Sequence, residues 1–243
     1  MKKAAVLLIV LSLMAGCTYS KSSVENEDKP MQEQKTEKSQ DNKNQKILIA
    51  YFSWADNTIV EDEESSIASA LQHYESVGDE VAGEDAISSA SIIQPGNVSR
   101  MASWIQEDIG GDLFSIQTME PYPSNYDECL ERASDEKAED ARPELKEKVE
   151  NINAYDTVFI GYPNWWYTVP MPVLTFIEEN NLADKNIILF CSHGTGGLAR
   201  SVEDIQKALP DSAQLETNVI GIYRGDILKS KETISKWLQE IGF

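Results

Sequence analysis

Three loops in this chain carry residue types suited to holding a flat molecule that bears a phosphate. The richest is Pro163-Asn164-Trp165-Trp166-Tyr167, which follows the apolar run Thr157-Val158-Phe159-Ile160 and the link Gly161-Tyr162. A loop at a strand's carboxyl end lies on the surface, and large apolar rings left at a surface crevice meet a partner. Indole and phenol rings in that place stack on a planar aromatic ligand, which adds roughly 0.5–1.5 kcal/mol beyond area burial. At least one of the three rings is expected to pack beneath the loop instead. A second loop, Ser192-His193-Gly194-Thr195-Gly196-Gly197, holds three glycines after another apolar run. Its backbone N–H groups can approach the polar edge of such a ring, although a plain flexible turn would use the same residues. His193 is either a cation beside the ligand or a half-exposed loop residue.

The phosphate end is assigned to two separated pieces. Ser53 closes the apolar run 46–52 and offers a hydroxyl donor. Gly96, Asn97, Val98 and Ser99 open a helical pattern, and free N–H groups at a helix start favour an anion. Gly96 permits close backbone approach; a simple helix cap would explain Asn97 or Ser99 equally well. The expectation is a split anion loop, with residues 54–94 as an excursion between its halves. Asp56 argues the other way, because it would set a negative charge beside a dianion.

These residues need a scaffold that brings strand ends together. Apolar strand-like runs at 46–52, 112–117, 157–160, 186–191 and 214–222 alternate with helical patterns at 67–76, 98–109, 125–140, 143–151, 173–180, 198–209 and 227–241. Alternation of this kind predicts an α/β fold, a three-layer open sandwich around a five-stranded parallel sheet. Right-handed crossovers leave few arrangements. The order 2-1-3-4-5 puts the ends of the first and third strands, Ser53 and Pro163, at the switch point where ligands bind.

With these residues in place, the chain resembles the flavodoxin-like family, and a bacterial lipoprotein branch of it with a long insertion after the first strand. The resemblance covers residues 46–243. It rests on Ile49-Ala50-Tyr51-Phe52-Ser53, Pro95-Gly96-Asn97, Glu120-Pro121-Tyr122-Pro123, Ala141-Arg142-Pro143, Gly161-Tyr162-Pro163-Asn164-Trp165-Trp166 and Ser192-His193-Gly194-Thr195-Gly196-Gly197. It implies a non-covalent FMN site made by three loops. Ser53 and Gly96 to Ser99 would hold the phosphate, Pro163 to Tyr167 would flank the isoalloxazine, and Ser192 to Gly197 would cover its pyrimidine edge and second face. The first loop departs from the family's pattern: Ser53-Trp54-Ala55-Asp56-Asn57-Thr58 lacks the expected glycine.

The amino terminus predicts export. Lys2 and Lys3 precede an apolar stretch from Ala4 to Leu13, and Ala15-Gly16 precedes Cys17. Residues 1–16 read as a signal peptide, and the segment resembles a lipobox, which implies lipidation of Cys17. Residues 17–45 hold almost nothing to bury and read as a disordered tether, with a mean reach of roughly 25–30 Å. The domain would then stand at the outer face of a membrane, held only by its lipid anchor.

With 21 basic against 41 acidic residues the net charge is −20, which argues against nucleic acid and suits steering toward basic redox partners. Cys129 and Cys191 are expected to be free thiols, His73 to lie at the surface, and the acidic run 61–64 to be a solvated loop. No spacing of cysteine, histidine or carboxylate suggests a metal site.

Three functions follow from this reading. The first is FMN-dependent electron transfer to a partner protein or a small quinone-like acceptor. The second is an FMN-dependent NAD(P)H:quinone oxidoreductase on the same fold. The third is a flavin-free surface-binding lipoprotein, for which Asp56 and the missing glycine are the best arguments.

Overall fold

The computed structural model describes residues 45–78 and 91–243. The predicted signal peptide, Cys17, nearly all of the tether and the middle of the insertion lie outside the described residues.

Six strands form one parallel sheet: β1 (Ile47–Tyr51), β2 (Asp112–Ser115), β3 (Thr157–Pro163), β4 (Asn186–His193), β5 (Gln214–Leu215) and β6 (Ile220–Tyr223). The order is β2-β1-β3-β4-β5, and β6 also pairs with β4. The predicted order holds, and the predicted fifth strand is two pieces. Gln214–Leu215 pairs with Asn186 and Ile187, and Ile220 to Tyr223 pairs with Phe190 to His193. Ile188 and Leu189 thus face the longer stretch 216–219, so the chain leaves the ladder and rejoins it.

Inner strands are apolar at consecutive positions because both of their faces are covered. Leu48, Ala50, Val158, Ile160, Ile187 and Leu189 belong to one core; Ile47, Ile49, Phe159, Ile188 and Phe190 belong to the other. Period-two alternation sends neighbouring residues to opposite faces. The second core receives α2 (Asn97–Ile109), through Val98, Met101, Ala102 and Ile105, and α6 (Lys231–Glu240), through Ile234, Trp237 and Leu238. The first core receives α1 (Glu63–Ser76), α3 (Tyr126–Ala138), α4 (Met171–Glu179) and α5 (Ser201–Ala208). These are the three expected layers.

Two segments differ in type from expectation. Residues 143–151 are not a helix. Leu145 and Val149 have helical spacing, but Leu145 bridges Thr118 instead. Lys146 N–H donates to the Gln117 carbonyl, and Met119 N–H to that of Glu144, both at 2.8 Å. This segment satisfies backbone groups of the residues that follow β2, 117–119, which would otherwise be left unpaired. The acidic run 61–64 opens α1 rather than a loop. The Asp62 carboxylate accepts from Glu64 N–H and Ser65 Oγ, and Glu63 and Glu64 occupy the first turn, where a helix favours negative charge.

Candidate functional site

The loop after β1 is fixed from below. Asn57 is buried, and its Nδ2 donates to the carbonyls of Ser53 and Ile116 at 2.9 Å each. Its Oδ1 accepts from Thr118 N–H at 2.8 Å. This side chain therefore ties the end of β1 to the residues following β2. Ser53, 1% exposed, is held in that corner with a hydroxyl oxygen that has no hydrogen-bond partner among the described residues. Gly96 lies directly against it: a Cβ built on Gly96 would stand 2.2 Å from Ser53 Oγ. Gly96 caps α2, whose early N–H groups have no intrahelical acceptor. Asn97 N–H donates to Ser91 Oγ at 3.0 Å. A buried unpaired hydroxyl beside a glycine and a 13-residue helix's amino end is the donor set an anion needs. Asp56 is engaged elsewhere. Its carboxylate accepts from Gln94 Nε2 at 2.8 Å and from Ser115 Oγ at 2.9 Å, and it is absent from the cleft lining.

The aromatic segment is a tight turn. Trp165 and Thr168 exchange backbone hydrogen bonds of 3.0 Å in both directions. The two residues between them, Trp166 and Tyr167, have φ of +49° and +63°. Positive φ at both central positions marks a type I′ turn, which normally takes Asn-Gly. Bulky residues held there carry backbone strain, a feature that gathers at functional sites. The strain presents two rings: Trp166 is 40% and Tyr167 is 64% exposed. Trp166 Nε1 donates to the Leu130 carbonyl at 2.9 Å, which sets its plane. Trp165 is the ring that packs inward, edge-to-face on Phe52 and Tyr122 at 5.3 Å each.

The glycine loop faces this turn. β4 runs two residues past its predicted end, so Ser192 and His193 are strand residues pairing with β6. Likewise β3 continues through Pro163. Asn164 N–H donates to the Ser192 carbonyl at 2.8 Å, Arg200 N–H to that of Tyr167 at 3.2 Å, and Asn164 Nδ2 to the Gly197 carbonyl. Tyr167 lies over Gly196, whose added Cβ would meet the ring at 3.0 Å.

One cleft of about 280 Å³ gathers these loops. Ser53, Asn97, Val98, Pro163, Asn164, Trp165, Trp166, Tyr167, Ser192, His193, Gly194, Thr195 and Gly196 line it. Gly96, Ser99 and Gly197 are not among the residues that line it. Sequence reasoning missed other walls. Arg224 follows β6 and lies against Gly194, where an added Cβ would meet its Nη1 at 3.0 Å. Its place at a strand's carboxyl end was the available signal. Trp54 and Ser91 line the cleft inside the presumed excursion. His73 is not a plain surface residue. It lines the cleft with Tyr126, Cys129, Leu130 and Ala133 of α3, its Nδ1 lies 2.6 Å from Asp127 Oδ1, and its ring stands 5.0 Å from that of Tyr126. Nothing in the sequence joins α1 to α3; their packing makes this wall.

Cys129 and Cys191 are free and buried, and burial pushes both thiols well above their ordinary range. Among the described residues no helix is long and apolar enough to cross a membrane, and no group of three or more His, Cys, Asp or Glu is placed to hold a metal ion. Arg142 pairs with Asp140 and Glu178, away from the cleft.

A family model described as flavodoxin matches residues 86–241. A candidate flavoprotein from Bacteroides eggerthii, 27% identical, superposes with a TM-score of 0.57 over 82% of this chain and 99% of its own. A second, from Bacteroides uniformis, is 22% identical, with a TM-score of 0.55 over 80% of this chain and 98% of its own. A flavoprotein solved in complex with FMN, from Lactobacillus acidophilus, is 19% identical, with a TM-score of 0.49 over 79% and 98%. No curated protein matches the chain.

Proposed function

The chain belongs to the flavodoxin family, and from that premise we propose that it binds FMN in the cleft at the carboxyl ends of β1, β3 and β4 and moves electrons through it at the outer face of a membrane. The observation that carries the reading is the Ser53 hydroxyl, buried, unpaired and pressed against Gly96 at the start of α2. A buried hydroxyl without a partner costs about 1–3 kcal/mol, and a phosphate oxygen would supply the acceptor it lacks. The donors present therefore fit a phosphate.

Trp166 and Tyr167 would stack against the ring system, and the backbone of Gly194 to Gly196 would face its polar edge. Bound FMN supplies one- and two-electron transfer; the chain orients it, excludes water and sets its potential. N–H donors at the polar edge would stabilise negative charge there on reduction. The flavin-free alternative rests on Asp56 and on the missing first-loop glycine; Asp56 is engaged by Gln94 and Ser115 and is not among the residues lining the cleft. The net charge of −20 suits docking to basic redox partners at rates that fall with salt. Lipidated Cys17 and the polar segment after it would tether the domain.

One observation favours a reductase acting on small molecules as a second reading. The cleft continues past the three flavin loops to a wall that includes His73 and Tyr126. A carrier that only docks proteins has no use for it. Visible absorption of the purified protein, before and after adding FMN, tests the main reading: a bound flavin spectrum is expected, and its absence at excess FMN would overturn it. Steady NADH or NADPH oxidation by the holoprotein separates reductase from carrier. Cys17→Ser is expected to move the protein from the membrane to the soluble fraction.

A further inference from the structure

We propose that Ser91, near the end of the long insertion, donates a second hydroxyl hydrogen bond to a phosphate dianion in the Ser53–Gly96 corner, FMN's own phosphate on the reading above, on which this inference rests. The insertion is then a working part of the anion site and not an excursion from it. Ser91 Oγ accepts from Asn97 N–H at 3.0 Å. A serine hydroxyl has one proton and two lone pairs, so accepting that bond leaves the proton to be donated elsewhere. The N–H in front of the oxygen turns this proton away from the helix. Among the described residues it meets no acceptor.

The hydroxyl stands at the corner. Ser91 lines the cleft together with Ser53, Asn97 and Val98. A Cβ built on Gly96 would stand 2.2 Å from Ser53 Oγ and 3.3 Å from the Ser91 carbonyl oxygen. Both serines therefore press on the same glycine, from the two ends of the insertion. Ser91 also holds φ of +43°, a left-handed conformation that residues other than Gly, Asn and Asp rarely adopt. A helix cap alone does not account for it. A cap needs only an acceptor, which Asp would supply with less strain, but Asp would bring negative charge to the corner.

With Ser91 included, the corner presents donors. The Ser53 hydroxyl is buried without a partner. The N–H groups of Val98 and Ser99 precede the first bond of α2, from Arg100 N–H to the Gly96 carbonyl at 2.9 Å, and so have no intrahelical acceptor. Among the described residues no carboxylate lines the cleft. Several donors converging at a helix start suit a tetrahedral dianion, whose oxygens each accept more than one bond.

The test titrates the apoprotein with FMN and with riboflavin, followed by flavin fluorescence, in the parent, Ser91→Ala and Ser91→Asp. Ser91→Ala is expected to weaken FMN binding roughly 10- to 100-fold and to leave riboflavin binding unchanged. Ser91→Asp keeps an acceptor for Asn97 N–H and suits both the positive φ and the helix start, so its melting temperature should match the parent's. It has no proton to give and repels a dianion, so its loss of FMN affinity should exceed that of Ser91→Ala. FMN bound by Ser91→Asp as tightly as by the parent would reduce Ser91 to a cap and overturn the inference, as would equal losses for the two ligands in Ser91→Ala. Inorganic phosphate separates this inference from the functional reading. Added to the apoprotein, it is expected to shift the amide signals of Val98 and Ser99, at a concentration roughly tenfold higher in Ser91→Ala. A parent that takes up no FMN at excess overturns the functional reading; a phosphate response identical in parent and Ser91→Ala overturns the role of Ser91.

Discussion

Ser53 Oγ and the Gly96 backbone close on each other so tightly that a Cβ on Gly96 would stand 2.2 Å from the oxygen. The two residues lie on opposite sides of the long excursion after β1, and their contact turns two weak sequence signals into one anion corner. Gly96→Ala is therefore expected to displace the hydroxyl and to destabilise the apoprotein by about 1–3 kcal/mol through overpacking. FMN affinity should fall at least about tenfold in a fluorescence titration. Adding Ser53→Ala removes the clashing oxygen, so the double variant should recover melting temperature without recovering FMN affinity, a non-additivity typical of residues in contact. Equal melting losses in the single and double variants would refute the contact.

Ser53→Ala by itself separates phosphate binding from folding. The hydroxyl has no partner to lose, so the apoprotein should be as stable as the parent or slightly more so. A hydrogen bond to a charged group contributes about 1.5–3 kcal/mol, so FMN affinity should fall roughly 10- to 100-fold. Riboflavin, which lacks the phosphate, should bind both proteins alike. Equal losses for the two ligands would place the phosphate elsewhere.

The Trp166–Tyr167 turn predicts effects of opposite sign. Both residues hold positive φ, which disfavours bulky side chains by about 1–3 kcal/mol each. Replacing the pair with Asn-Gly suits the turn and should raise the apoprotein's melting temperature. The same change removes both exposed rings and should weaken FMN binding and increase the fluorescence of whatever flavin remains bound. Tighter binding in this variant would show that the rings do not stack.

Alkaline pH should destabilise the fold. Burial raises the thiols of Cys129 and Cys191 above their ordinary value of 9.0 and the phenols of Tyr122 and Tyr162 above 10.0. In the folded state these groups keep protons that the unfolded chain releases. Their contribution is fully present below the unfolded values and is lost as pH climbs past them, because the unfolded state then binds fewer protons. Melting temperature should decline from about pH 9 upward. At lower pH the two thiols of the folded domain should resist a thiol-specific reagent until the protein is unfolded. Rapid labelling of Cys191 in the native state would contradict its 0% exposure.

Much of the scaffold was legible in the chain. The unbroken apolar runs Ile47-Leu48-Ile49-Ala50 and Val158-Phe159-Ile160 required cover on both faces, and alternation with helices then required a parallel sheet. Between 143 and 151, Leu145 and Val149 satisfy a helical period, but pairing with the distant residues 117–119 decides the local structure. The end of β4 was set short because Ser192 and His193 are polar, although their backbones find partners in β6.

The site divides in the same way. Sequence alone determined which loops leave the carboxyl ends of β1, β3 and β4 and which residue types they carry, since strand periodicity and crossover handedness act through nearest neighbours along the chain. Tertiary structure alone decided that Asp56 points to Gln94 and Ser115, that Arg224 rests on Gly194, and that His73 meets Asp127 and Tyr126 at the cleft. Those contacts depend on how helices pack across a shared core, and packing is governed by shape and burial in three dimensions, which no local pattern of residues encodes.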